Sequence, residues 1–179
     1  MSDGRTRLRT AAAGLTRAID AAESRSAWAA ESPCEGWTAG DVADHIINNY
    51  ARVAGSLGAE VATTGRRCED WGRARDAVLA GASEPGALDT VVTGPDGPTP
   101  LGRFLAVYME VDTLVHTWDI ARAVGADESL DEGLCRRCHE RFLPADETMR
   151  RPGAFGPKLE FSENDPIQRK ALRFFGRPG

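Results

Sequence analysis

The chain has 179 residues, 41% hydrophobic and 27% charged, and carries a net charge of −5. That length can bury a core without disulfide or metal staples, and it predicts one domain spanning 1–179. The acidic balance excludes the basic footprint of a nucleic-acid binder, and no apolar run approaches the ~20 residues of a membrane span.

The first predicted element is an amphipathic helix over about residues 5–25, with Leu8, Ala12, Leu15, Ile19 and Ala22 at spacings of three and four. Its longest apolar run, Ala11 to Leu15, is too short for a signal-peptide core and is followed by Arg17 and Asp20. The expectation is a cytoplasmic protein whose four cysteines, Cys34, Cys68, Cys135 and Cys138, are free thiols. Pro33 and Gly36 then punctuate a loop, and Thr38, with Asp41 at the capping-box position, starts a second helix that runs to about Ser56. Val42, Ile46, Tyr50 and Val53 form its apolar stripe, and His45 and Asn49 fall on one edge of that stripe. A third helix is predicted over 69–82. The Gly- and Pro-rich connection that follows, to Gly102, holds one short β-like piece, Thr90 to Thr93, and a turn at Gly94 to Pro98. The strongest helix is predicted from Leu101 to Val124, with Gly125 ending it. A helix near 131–144, an irregular tail and a short helix over 167–175 complete an all-α reading: four main helices, short extra C-terminal helices and almost no sheet.

Within the strongest helix, Asp112 and His116 are four residues apart and therefore lie one above the other on one face. Asp119 shares the same strip, roughly 60° wide on a helical wheel. Helix bundles build metal sites from inward side chains on facing helices, so His45 could join this pair. Two imidazoles and one carboxylate with an open position would suit zinc, or alternatively nickel or iron(II). Asp119 would then be an outer carboxylate that orients an imidazole. The plainer alternative is an Asp–His hydrogen bond on a helix edge and an unrelated core histidine. Three other features have bland readings as well. Cys135, Cys138 and His139 form a C-x-x-C-H string that reads as haem attachment or half a zinc site, but more simply as a helix with an exposed histidine. Cys34, near a helix start, is a candidate nucleophile or a structural thiol beside Trp37. Trp37, Tyr50, Tyr108 and Trp118 could line a pocket but are expected in the core.

Three segments together resemble a known family. Ser32-Pro33-Cys34-Glu35-Gly36-Trp37-Thr38, followed by Asp41, Val42 and His45, resembles the opening motif of the DinB/YfiT-like superfamily, and more closely that of the mycothiol-dependent maleylpyruvate isomerase N-terminal-domain group. Asp112 through His116, Trp118 and Asp119 to Gly125 resembles that group's second metal motif. The segment from Phe155 to Arg177 is similar to the tail of a subfamily of small metal-binding proteins.

The resemblance implies a DinB-like four-helix bundle in up-down-down-up order. It also implies a divalent metal held by His45, Asp112 and His116, with zinc first and nickel or iron as alternatives, and mycothiol as a possible thiol cofactor. The family's middle ligand is typically Glu, so Asp112 is one methylene shorter; Glu110 points to a different face. The implied activity is that of a metal-dependent thiol S-transferase or isomerase acting on a small electrophile, as a monomer or homodimer, with no nucleic-acid or membrane partner. The family's isomerases carry a further C-terminal domain for which this chain has no room. A non-catalytic metal-binding bundle and a thiol-independent biosynthetic enzyme stand as alternatives.

Overall fold

The protein is described from a computed structural model covering residues 4–95, 97–150 and 155–179. It is mostly helical and divides into two compact units, Met1–Glu128 and Ser129–Gly179.

The first unit is built on four long helices: α1 (Gly4–Ser24), α2 (Ala39–Ser56), α3 (Arg67–Gly81) and α4 over residues 101–123. α1 and α2 each pack against both α3 and α4. Residue pairs across these seams give the directions. Arg7 meets Glu110 and Gly14 approaches Thr117, so α1 and α4 are parallel. Asn49 meets Asp112 while His45 meets His116, so α2 runs against α4. Asp44 pairs with Arg67, Tyr50 packs on Trp71 and Leu57 lies against Gly81, so α2 and α3 are parallel. The order is up-down-down-up, as the family resemblance implied. A parallel α2–α3 pair and two neighbours that are not sequential require crossover connections, which residues 57–66 and 82–100 supply.

Local chemistry sets the helix starts. Thr38 accepts the Asp41 backbone N–H, and Asp41 accepts from the Thr38 backbone, a complete capping box that fixes where α2 begins. The start of α3 is tied down differently. Asp70, 2% exposed, accepts the backbone N–H groups of Thr64 and Gly65 and the Thr64 hydroxyl, and pairs with Arg73. The core between the helices is largely aliphatic, and the polar tips of its buried Trp71 and Tyr50 are satisfied. The Trp71 indole N–H donates to Thr16 Oγ1 at 2.9 Å, and the Tyr50 hydroxyl lies 3.1 Å from Thr113 Oγ1.

Two features of this unit were not predicted. The connection before α4 holds a two-stranded antiparallel ribbon, β1 (Val91–Gly94) and β2 (Gly97–Pro100), of which only the first strand was expected. The turn predicted between them includes Asp96, which lies outside the described residues. In addition, α4 is not uniform: a π-helical stretch, Leu105–Met109, separates an α turn, Leu101–Phe104, from the α-helical Glu110–Ala123.

The second unit pairs α5 (Glu132–Phe142) with α6 (Ile167–Phe174), joined by the short turns Leu143–Ala145 and Asp146–Met149 and an irregular segment. Its core is aromatic: Phe142, Phe155, Phe174 and Phe175 meet edge-on or tilted. Here the expectation of an exposed His139 is corrected. The residue is 7% exposed, with its ring edge-on to Phe161 and Phe174. Burial, and then the charge of Lys170, hold it below its ordinary pKa, so it packs as a neutral ring. Cys135 and Cys138 are buried on the same face and unbridged.

Candidate metal centre

The four sequence-selected residues His45, Asp112, His116 and Asp119 converge in the first unit. The donor atoms of His45, Asp112 and His116 all lie within 4.8 Å of one another. His45 Nε2 is 3.4 Å from Asp112 Oδ2, and His116 Nε2 is 3.3 Å from Asp112 Oδ1. Two ligands at ~2.0–2.1 Å from a tetrahedral ion stand about 3.3–3.4 Å apart, so these two spacings fit the edges of a zinc-sized coordination polyhedron. The donor set, two imidazoles and a carboxylate, also suits such an ion.

The neighbours orient these groups. Asp119, fully buried, lies 2.9 Å from His116 Nδ1 and so leaves Nε2 for the cluster. Asn49, one turn after His45, donates to Asp112 Oδ2 at 3.1 Å and lies at the same distance from His45 Nε2. Burial works to raise the Asp112 pKa, but hydrogen bonds from His116 and His45 outweigh it and hold the carboxyl well below its usual range. Burial likewise works to lower the His116 pKa, yet Asp112, Asp119 and Cys34 together hold it well above the ordinary value. The protein therefore concentrates negative charge around these rings, as a cation site requires.

The cluster opens to one side: the His45 and Asp112 side chains are 34% and 29% exposed, that of His116 only 11%. Trp37 stands at this mouth. Its ring centroid is 5.3 Å from that of His45 and 6.4 Å from that of His116, near-parallel to the latter. Expected in the core, Trp37 is instead 38% exposed, whereas Tyr50 and Trp118 are core residues and Tyr108 is half-buried. The loop sequence accounts for this placement. Ser32 N–H donates to Trp37 O and Trp37 N–H to Cys34 O, while Gly36 supplies the positive φ of 77° at the bend. The same turn brings Cys34 Sγ to 3.3 Å from Asp119 Oδ2, a partnership that spacing in the sequence did not reveal. Glu110 is buried against Arg7, away from the cluster.

Fold and cluster together define the class: a DinB-like helical bundle with a group of candidate metal ligands at its open face. Residues 6–86 match the family described as the mycothiol maleylpyruvate isomerase N-terminal domain. The match takes in Cys34, Trp37 and His45 and stops short of Asp112 and His116. Two proteins of Mycobacterium tuberculosis, from strains CDC 1551 / Oshkosh and H37Rv and both named as uncharacterized, are 29% identical over 143 residues, 78% of this chain and 75% of theirs. No solved structure matches the chain. No helix among the described residues is long and apolar enough to cross a membrane.

Proposed function

We propose that the protein is a metal-dependent thiol S-transferase or isomerase, using a low-molecular-weight thiol of the mycothiol type and acting on a small electrophile. The observation that carries this reading is the His45–Asp112–His116 donor set, spaced for one ion and open on the Trp37 side. His45, Asp112 and His116 would hold the metal, with zinc the leading ion. Two neutral imidazoles and one carboxylate around a divalent ion leave a formal charge of +1, which favours an anionic further ligand. Held by His45, Asp112 and His116, such an ion would supply the acidity that turns a bound thiol into a thiolate at neutral pH. Asn49 steadies the Asp112 carboxylate through its amide, and Asp119 keeps His116 in the tautomer that presents Nε2. Trp37 forms an apolar wall beside the opening, suited to shielding an electrophile from water.

Zinc-loaded protein is to be incubated with mycothiol and a small alkylating electrophile such as monochlorobimane, and conjugation followed by fluorescence. Conjugation is expected to exceed the uncatalysed rate, to require both metal and thiol, and to fail in His45→Ala. One equivalent of bound zinc with no acceleration by any thiol would instead support a binding protein without turnover.

A further inference from the structure

We propose that Cys34 is a positioning residue for the metal centre: its thiol donates to Asp119, and Asp119 in turn fixes the imidazole of His116. This rests on the metal reading above and adds to it a residue outside the ligand set. Asp119 is fully buried, and a carboxylate in that position needs donors. Its Oδ2 lies 2.9 Å from His116 Nδ1 and 3.3 Å from Cys34 Sγ, so the ring N–H and the thiol converge on one oxygen. His116 Nε2 is thereby aimed at Asp112.

Cys34 is itself held in place. The Ser32 hydroxyl accepts the Cys34 backbone N–H at 3.1 Å, and the Cys34 carbonyl accepts the Trp37 N–H. The bridge between Glu31 and Thr38 closes the loop, and Thr38 caps α2, the helix that carries His45. One short loop thus sets the Cys34 thiol against α4 and starts the helix that brings His45 to the same ion site.

A competing arrangement would have Cys34, His116 Nδ1 and Asp119 bind an ion directly, since their donor atoms also lie within 4.8 Å of one another. The distances decide against it. The 2.9 Å between Nδ1 and Oδ2 is a charge-assisted hydrogen-bond length, and shorter than the ~3.3 Å edge that two ligands on one tetrahedral ion would leave. Cys34 Sγ is 3.3 Å from Asp119 Oδ2 and 3.9 Å from Nδ1, so the carboxylate is the thiol's nearer partner.

The test compares wild type, Cys34→Ser and Cys34→Ala by zinc affinity, measured in competition with a chromophoric chelator, and by the absorption spectrum of the cobalt(II) forms. Outer partners of metal-bound histidines affect affinity by about 10–100-fold. Cys34→Ala is expected to weaken zinc binding about tenfold. Cys34→Ser, whose hydroxyl can still donate to Asp119, should remain within about threefold of wild type. Wild-type cobalt protein should show no thiolate-to-cobalt charge-transfer band. Wild-type affinity in Cys34→Ala would overturn the proposal, as would a charge-transfer band that disappears in Cys34→Ser. A readout independent of metal is the S–H stretch in the infrared difference spectrum of metal-free wild type and Cys34→Ala. A band shifted to low frequency, as for a thiol donating to a carboxylate, supports the chain of contacts even if no ion binds. A band at the position of an unbonded thiol overturns it.

Discussion

Replacing His116 with alanine is expected to abolish stoichiometric metal uptake, lowering affinity by more than about 100-fold, because losing a ligand costs more than losing an outer partner. His116 is central in the geometry: its Nε2 faces Asp112, its Nδ1 faces Asp119, and its ring lies 5.2 Å from that of His45. Removing the ring also takes a hydrogen-bond partner from the buried Asp119, so some loss of stability should accompany it. His45→Ala separates the two effects. That side chain is about one-third exposed, and its loss leaves the Asp119 contacts in place. Elemental analysis of purified wild type, His116→Ala and His45→Ala, with circular dichroism as a check on folding, reads the result. Equal metal content in all three would rule out the proposed site.

Asp70→Ala is expected to destabilise the protein by about 2 kcal/mol, as charge-assisted hydrogen bonds to a buried carboxylate are lost. Its partners, the Thr64 and Gly65 amides and Arg73, bind the connection before α3 to the first turns of that helix. Burial raises the Asp70 pKa, but the hydrogen bonds from Thr64 and Gly65 and the charge of Arg73 outweigh it, and the net shift is downward from 3.8. A carboxyl with a depressed folded pKa contributes fully above its unfolded value and loses that contribution as pH falls through the folded one. The difference in stability between wild type and Asp70→Ala should therefore be constant near neutrality and shrink as pH drops below about 4. Urea denaturation at a series of pH values measures it. A difference that grew on acidification would show that Asp70 is not held as the ionised partner.

Much of the candidate centre was legible because helices convert spacing into direction. Asp112, His116 and Asp119 had to share a strip once residues 101–124 were read as helix, and the capping box announced the start of the helix carrying His45. Cys34 was different: its partner Asp119 is 85 residues away, and only the turn at Gly36 aims the thiol. Trp37 was expected in the core because tryptophan usually is, but it lies on the same turn. His139 was misread through its charged neighbours, although Cys135, Cys138, His139 and Phe142 fall at i, i+3, i+4 and i+7, the mark of a buried stripe. The second strand of the ribbon was hidden by Pro98 and Pro100, which argue against sheet unless the strand has a free edge, as each strand of a two-stranded sheet does. Nothing in Leu105–Met109 departs from an ordinary apolar helix, so the π stretch left no trace in the sequence.

That stretch acts as a phase joint. A π turn is an α-helix carrying one extra residue, so the segments before and after it are rotated by about 100° relative to an unbroken helix. Leu101–Phe104 and Glu110–Ala123 can therefore each face their own neighbours, with Asp112 and His116 aligned to α2 independently of how the helix begins. Deleting Ala106, half-buried within the joint, should let the helix close to regular α geometry while both flanks keep their faces. Deleting Thr117 would instead turn Trp118 and Asp119 away from their partners. Thermal denaturation of the two single deletions should show the first as the milder lesion, with its metal content retained. The reverse ranking would mean that the joint is held by its own packing and is not a register adjustment.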